Sequence, residues 1–274
     1  MNTATLVSEP DSSQTEFWNK RWTRGKIPWD LGGVPPALMS FLCCNRTPTR
    51  VLIPGCGSGY EVRAFHEAGL EVTAIEFSAP AVARAREVLG SLGDKVILGD
   101  FFKHDFGRSR YGLIYERGFL CSLPPARWPD YASRMMNLLS KGGKLVGLFL
   151  YGREVEPPPF PLTKKTAASL LGGSFRLRHT QPVAWSVPVY QGLEHWQEWE
   201  LAGSGQIRPV VEVQAQPTGR TTQKAVFGVT MLESTETIVV ESAWAGRIHV
   251  PDQIISDQCT PDSMCAARTS RSIS

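Results

Sequence analysis

Residues Val51–Ser78, VLIPGCGSGYEVRAFHEAGLEVTAIEFS, constrain the fold more than any other stretch of this chain. An apolar run (Val51, Leu52, Ile53) enters a glycine-dense turn, a short amphipathic segment follows, and a second apolar run ends in Glu76. That order reads as strand, turn, helix, strand, with an acid closing the second strand 21 positions after Gly55. Such a unit binds the adenosine end of a cofactor. Glycine lets the backbone approach a ligand without a Cβ in the way. The carboxylate can accept hydrogen bonds from both ribose hydroxyls.

The spacing of the turn narrows the cofactor. A nicotinamide or flavin fingerprint needs G-x-G-x-x-G. Gly55 and Gly57 fit, but the last position is Tyr60, and the glycines run instead as Gly55, Gly57 and Gly59. A P-loop is excluded, because no Gly-Lys-Ser/Thr follows. The G-x-G-x-G spacing is usual where the cofactor is S-adenosylmethionine (SAM), which has no pyrophosphate to cradle. A tight strand-to-helix connection without a ligand is the plainer reading of the glycines alone.

Composition bounds the rest. The 274 residues are 42% hydrophobic, enough for a sizeable core. A net charge of +3 without a Lys/Arg run gives no nucleic-acid patch. No apolar stretch reaches the length of a membrane span, and the polar N-terminus has no signal-peptide core, so a cytoplasmic setting is expected. The six cysteines form neither a disulfide ladder nor a paired C-x-x-C site, so no metal is expected. Cys43 and Cys44, in FLCC, read as buried packing.

Three regions follow: residues 1–15, polar and expected to be disordered; 16–201, a folded domain; and 202–274, a Ser/Thr/Gln/Gly-rich extension of unknown role, expected to be partly disordered. In the domain, strands are expected at 50–54, 71–76, 95–98, 112–115 and 144–150. Helices are expected at 60–68, 79–91, 127–139 and 163–171, with Ser78 as a cap and Lys141-Gly142-Gly143 closing the third of them. FRLRHTQPVAWSVP and HWQEWEL read as a closing antiparallel pair. Such alternation implies an α/β, doubly wound, mostly parallel sheet. Ahead of it Phe17, Trp18, Trp22 and Trp29 fall within a segment broken by proline and glycine, a poor start to a core and a plausible lid. Trp18 and Trp22, four apart, share a helix face. Aromatic faces attract a sulfonium cation.

FWNKRW, IPWDLGGVPPAL, VLIPGCGSGYEV, AIEFS, GDFF, IYERGFLCSLPP and VPVYQGLEHWQEW occur in that order over about residues 16–201. With this run of motifs the chain resembles the thiopurine methyltransferase superfamily, bacterial thiol and plant halide/thiol methyltransferases included. The resemblance implies a seven-stranded SAM-dependent methyltransferase sheet with an N-terminal lid. It implies that Trp18, Trp22 and Trp29 cover SAM, that Gly55, with Gly57 and Gly59, forms the cofactor loop, and that Glu76 binds ribose. Asp100 would lie near the adenine amino group, where a turn cap is the plainer role. Arg117, matched from the bacterial pattern, would lie beside the cofactor and help hold an anion; an ion pair with Glu116 or another acid is its rival role. Trp29, Arg127 and Tyr131 are candidates for the acceptor pocket. The implied reaction is methyl transfer to a small soft nucleophile (a thiol, hydrosulfide, thiocyanate or halide) with release of S-adenosylhomocysteine (SAH). A thiopurine or a selenium or tellurium acceptor, or a non-catalytic SAM/SAH-binding module, are the alternatives. No obligate protein partner is implied.

Overall fold

A computed structural model of the chain describes residues 11–45, 49–153 and 156–203. The extension from 204 onward and residues 1–10 lie outside the described residues, and the expectations for them with it. Residues 11–14 form a turn in which Ser12 is buried, and helix begins at Thr15.

Strands β1 (Arg50–Pro54), β2 (Glu71–Glu76), β3 (Val96–Leu98), β4 (Tyr111–Arg117), β5 (Leu139–Leu150), β6 (Phe175–Pro182) and β7 (Glu194–Leu201) form one sheet in the order β3-β2-β1-β4-β5-β7-β6. The first five run parallel; β7 pairs antiparallel with both β5 and β6. Helices α1 (Thr15–Thr23), α2 (Pro36–Cys44), α3 (Tyr60–Glu67), α4 (Ala79–Leu89), α5 (Trp128–Leu138) and α6 (Lys164–Leu171) complete the unit. Among the described residues no helix is long and apolar enough to cross a membrane.

The central strands β1 and β4 are buried on both faces because both faces are covered. Alternate residues go to opposite cores. Val51, Ile53, Leu113 and Tyr115 pack with Phe41 of α2 and Val62 and Phe65 of α3. Leu52, Ile114, Leu145 and Phe149 pack with Tyr131 and Met135 of α5 and Leu171 of α6. From β1 the chain crosses to β2 on one side, while β4 lies on the other, so β1/β4 is the switch point at whose carboxyl end such sheets bind ligands.

Several local expectations are corrected. Lys141-Gly142-Gly143 does not end a helix: β5 starts at Leu139 and bulges opposite Tyr111–Leu113, with Gly142 at φ +70°. The helix expected over 79–91 stops at Leu89 and tightens into a 3₁₀ turn, Gly90–Lys95. Only the first part of FRLRHTQPVAWSVP is strand; Pro188–Tyr190 is a 3₁₀ turn. Ser78 stands at the N-cap of α4, but its hydroxyl donates to Asn19 Oδ1 on α1 (2.8 Å) instead of capping. Cys43 and Cys44 are exposed at the end of α2, where helix geometry turns them from the sheet.

Candidate active site

The glycine turn after β1 is built on positive φ: +59° at Gly55, +52° at Gly57 and +75° at Gly59. The three are not equivalent. A Cβ at Gly55 would lie 2.6 Å from Phe119 Cδ2, and one at Gly57 would touch Trp22 Cζ2 at 3.4 Å. Both glycines face a cleft over the carboxyl ends of β1, β2 and β4. Gly59, expected at the cofactor, faces away: a Cβ there would meet Leu89 and Ala85 of α4 at 3.1 and 3.3 Å. Its task is close helix packing at the start of α3.

Glu76 closes β2 with its carboxylate buried in the cleft wall. Oε1 accepts from the Ser78 N–H (2.9 Å) and Oε2 from the Gly57 N–H (3.2 Å). Burial raises its pKa and those backbone bonds oppose the rise. Each oxygen keeps a second lone pair for a ligand. Asp100 lines the same end, and its Oδ1 accepts from the Phe102 N–H (2.8 Å), so the turn-cap role is real and coexists with a place at the cleft.

The cover is aromatic. Trp18 and Trp22 of α1 meet Trp29 edge-on, with centroids 5.5 and 6.5 Å apart, and all three line the cleft. Trp18 Nε1 donates to the Ser12 carbonyl at 2.8 Å. Asp30, next to Trp29, accepts from the Gly32 N–H (2.7 Å) and from the Ser58 hydroxyl, pinning the tryptophan segment to the glycine turn.

Arg117 ends β4 and lies at the cleft, its side chain 15% exposed. Nη2 donates to the Trp29 carbonyl (3.2 Å) and Nη1 stands 3.7 Å from Glu61 Oε1. Its acidic partner is Glu61 in the first turn of α3, not the neighbouring Glu116, which projects from the opposite face of β4. Burial raises the pKa of Glu61, and Arg117 opposes that rise.

Arg127 lines the cleft mouth, over the Phe102 ring (4.3 Å) and paired with Asp130 (3.0 Å). Tyr131 does not line it. It is fully buried, and its hydroxyl donates to Glu116 Oε2 at 2.7 Å, because its position on α5 points it into the core. Beyond Arg117 the cleft is walled by Phe119, Cys121, Pro158, Pro159 and Tyr190, held in part by the Phe160 N–H on the Cys121 carbonyl (2.7 Å). Burial pushes the Cys121 thiol and the Tyr190 phenol up, so both stay neutral.

Sequence reasoning missed Ser12, Asp30, Ser58, Glu61 and Tyr115 at the cleft. Two had a signal: Asp30 follows a candidate tryptophan, and Glu61 sits two positions after Gly59, where a first-turn acid of α3 must face the glycine loop.

Fold and cleft together define a doubly wound α/β protein with an open cleft at its switch point, where such sheets bind ligands. The comparisons make this specific. A probable thiol methyltransferase 2 of Arabidopsis thaliana is 32% identical over 164 residues, 58% of this chain and 71% of that protein. A thiopurine S-methyltransferase of Vibrio vulnificus (strain YJ016) is 30% identical over 190 residues, 62% of this chain and 86% of that protein. Among solved structures, a Burkholderia thailandensis 1,6-didemethyltoxoflavin-N1-methyltransferase with bound SAH shares the fold at a TM-score of 0.58 and 19% identity, covering 69% of this chain and 87% of that one. The family model for thiopurine S-methyltransferase (TPMT) matches residues 13–195, and the chain belongs to that family. It is an enzyme of the SAM-dependent methyltransferase class.

The cleft fits that cofactor. A buried carboxylate with spare lone pairs stands at one end, a cation-attracting aromatic cover lies above, and Ser12 Oγ, Tyr115 Oη and Arg117 Nε are buried polar atoms without hydrogen-bond partners among the described residues.

Proposed function

We propose that the protein methylates a small, soft nucleophile, a thiol or hydrosulfide first and thiocyanate or a halide next, releasing SAH and the methylated product. SAM, when bound, supplies a methyl group on a positively charged sulfur. Glu76 holds the ribose, Asp100 flanks the adenine, and Gly55 and Gly57 let the backbone come close. Trp18, Trp22 and Trp29 face the cation and exclude water from the transfer path. Phe119, Pro158, Pro159 and Tyr190 form a largely apolar wall that strips water from the acceptor. The apolar wall and the tryptophan cover would hold an acceptor against the methyl group that bound SAM would supply, SAM being converted to SAH as the acceptor is methylated.

One observation carries the acceptor class. Among the described residues lining the cleft there is no histidine, and each carboxylate is engaged: Glu76 with backbone N–H groups, Asp30 with Ser58, Glu61 with Arg117 and Asp100 with Phe102. No base is set to deprotonate a hydroxyl, so the nucleophile must arrive anionic. A thiol does so without help, with a few per cent thiolate at neutral pH. The names of the relatives, thiol, thiocyanate and thiopurine methyltransferases, are of the same chemical kind. A cytoplasmic setting and a small-molecule acceptor, with no macromolecular partner, complete the proposal.

The test is SAH release from SAM with hydrosulfide, thiocyanate, iodide, an aromatic thiol, a thiopurine and a phenol. Turnover is expected with the sulfur acceptors and absent with the phenol. Turnover with the phenol alone would overturn the reading and require a base. Cofactor binding without turnover on any acceptor would make the protein a binding module.

A further inference from the structure

Ser78 is fully buried at the head of α4, yet its hydroxyl caps nothing there. A serine in that position ordinarily turns its oxygen back to accept a backbone N–H of the first turn. Here the hydroxyl donates away from the helix, to Asn19 Oδ1 at 2.8 Å. Among the described residues this is the only side-chain hydrogen bond that joins α1 to the sheet and the helices on it.

Both ends of the bond lead to the cleft. On α1, Asn19 and Trp22 are three apart and share a face. The Trp22 ring stands over Gly57, 3.4 Å from where a Cβ would be. On the other side, the Ser78 N–H donates to Glu76 Oε1 (2.9 Å), and Glu76 Oε2 accepts from the Gly57 N–H (3.2 Å). The contacts close a ring: Asn19 to Ser78, Glu76, Gly57, Trp22, and back along one turn of α1. No residue of α1 is buried, so α1 has little packed surface to keep Trp22 in that place.

We propose that Asn19 and Ser78 are positioning residues whose hydrogen bond latches α1, keeping Trp22 seated over the glycine turn and tying the cover to the carboxylate of Glu76. Neither residue lines the cleft, so both act through Trp22 and touch neither cofactor nor acceptor. The inference rests on the cleft being the SAM site. Its consequence is residence: the cover lifts only when this bond breaks, so the bond governs how fast SAH leaves.

The test is stopped-flow binding of SAH to the full chain, followed by tryptophan fluorescence. Association and dissociation rates are compared for wild type, Asn19→Ala, Ser78→Ala, the double variant and Asn19→Asp, with melting of the ligand-free proteins. Each single alanine variant is expected to release SAH about fivefold faster, the rate equivalent of one neutral hydrogen bond, with association within about twofold. The double variant is expected to match the singles, because either change removes the same bond. Asn19→Asp keeps an oxygen to accept from Ser78 and is expected to stay within about twofold of wild type. Melting is expected to stay within about 2 °C, since α1 opens on its own. Unchanged release in either alanine variant, additive effects in the double variant, fast release in Asn19→Asp or a larger fall in melting would overturn the assignment. Wild type that binds no SAH would overturn the SAM site itself, a failure separate from that of the latch.

Discussion

The carboxylate of Glu116 holds the loop beneath the cleft: Oε1 accepts from the N–H groups of Phe119 (2.9 Å) and Leu120 (3.0 Å), and Oε2 from the Tyr131 hydroxyl. Burial nevertheless pushes its pKa up from 4.5 to about 7. An acid raised on folding binds its proton more tightly in the folded state. Its contribution to stability is fully present below the unfolded value and is lost as pH rises through the folded one. Glu116→Gln keeps an acceptor for both N–H groups and removes the titration. Between about pH 4.5 and 7.5 its unfolding free energy should gain on wild type by about 3 kcal/mol, read by urea denaturation across that range; a constant difference would show that Glu116 titrates normally. Gly147 makes a second residue-scale case. At φ +149° a Cβ would run into the Glu116 carbonyl on the neighbouring strand, so Gly147→Ala should cost more than about 4 kcal/mol or abolish soluble protein, measured by yield and melting. Residue positions were legible where the backbone sets them, as at Gly55, Gly57 and Glu76, which line the cleft. They were not where a neighbouring element decides. Gly59 follows the same spacing but is claimed by α4, and Tyr131 is claimed by Glu116.

At the scale of elements, α1 is attached rather than embedded. None of its nine residues is fully buried, and it is held by the Asn19–Ser78 bond, the Trp18–Ser12 bond and ring contacts. An element with few buried contacts opens at low cost, which suits a cover over a cofactor. Trp22→Ala should therefore weaken SAM binding by about 10-fold, the cation–aromatic and contact share, while moving the melting temperature little. Calorimetry and melting together check this; a large loss of stability would make Trp22 a core residue. Asp30→Ala, which frees the tryptophan segment from Ser58, should act in the same direction. The shared face of Trp18 and Trp22 on α1 was legible, because an i, i+4 pair fixes it. The Asp30–Ser58 tie was not legible, since it joins positions 28 apart through a hydroxyl with no pattern of its own.

Across the whole molecule, the seven strands are complete by Leu201, and each of the two cores is closed by helices ahead of that residue. A chain ending at residue 203 should thus fold, bind SAH and turn over like the full chain, checked by melting and SAH release. Loss of soluble protein would place part of the core beyond 203. The sheet was readable because four strand–helix alternations leave few topologies. What the alternation does not carry is where the final antiparallel pair enters. The position of β7 is set by Trp196 and Trp199, which go to opposite cores, and not by any local signal.

That insertion of β7 between β5 and β6 has a consequence in time. The last of the described strands to leave the ribosome is not added at an edge; it lies between β5 and β6, and its Trp196 packs at a tilt against Phe41 and against Tyr115, which lines the cleft. Its pairing with β6 is local, Pro182 lying opposite His195, while its pairing with β5, Leu150 opposite Glu194, spans a longer stretch of chain, the slower kind of contact to close. A nascent chain short of residue 194 carries its glycine turn, its acid and its tryptophans and still has no floor for them. A complete cleft thus arrives late, with β7.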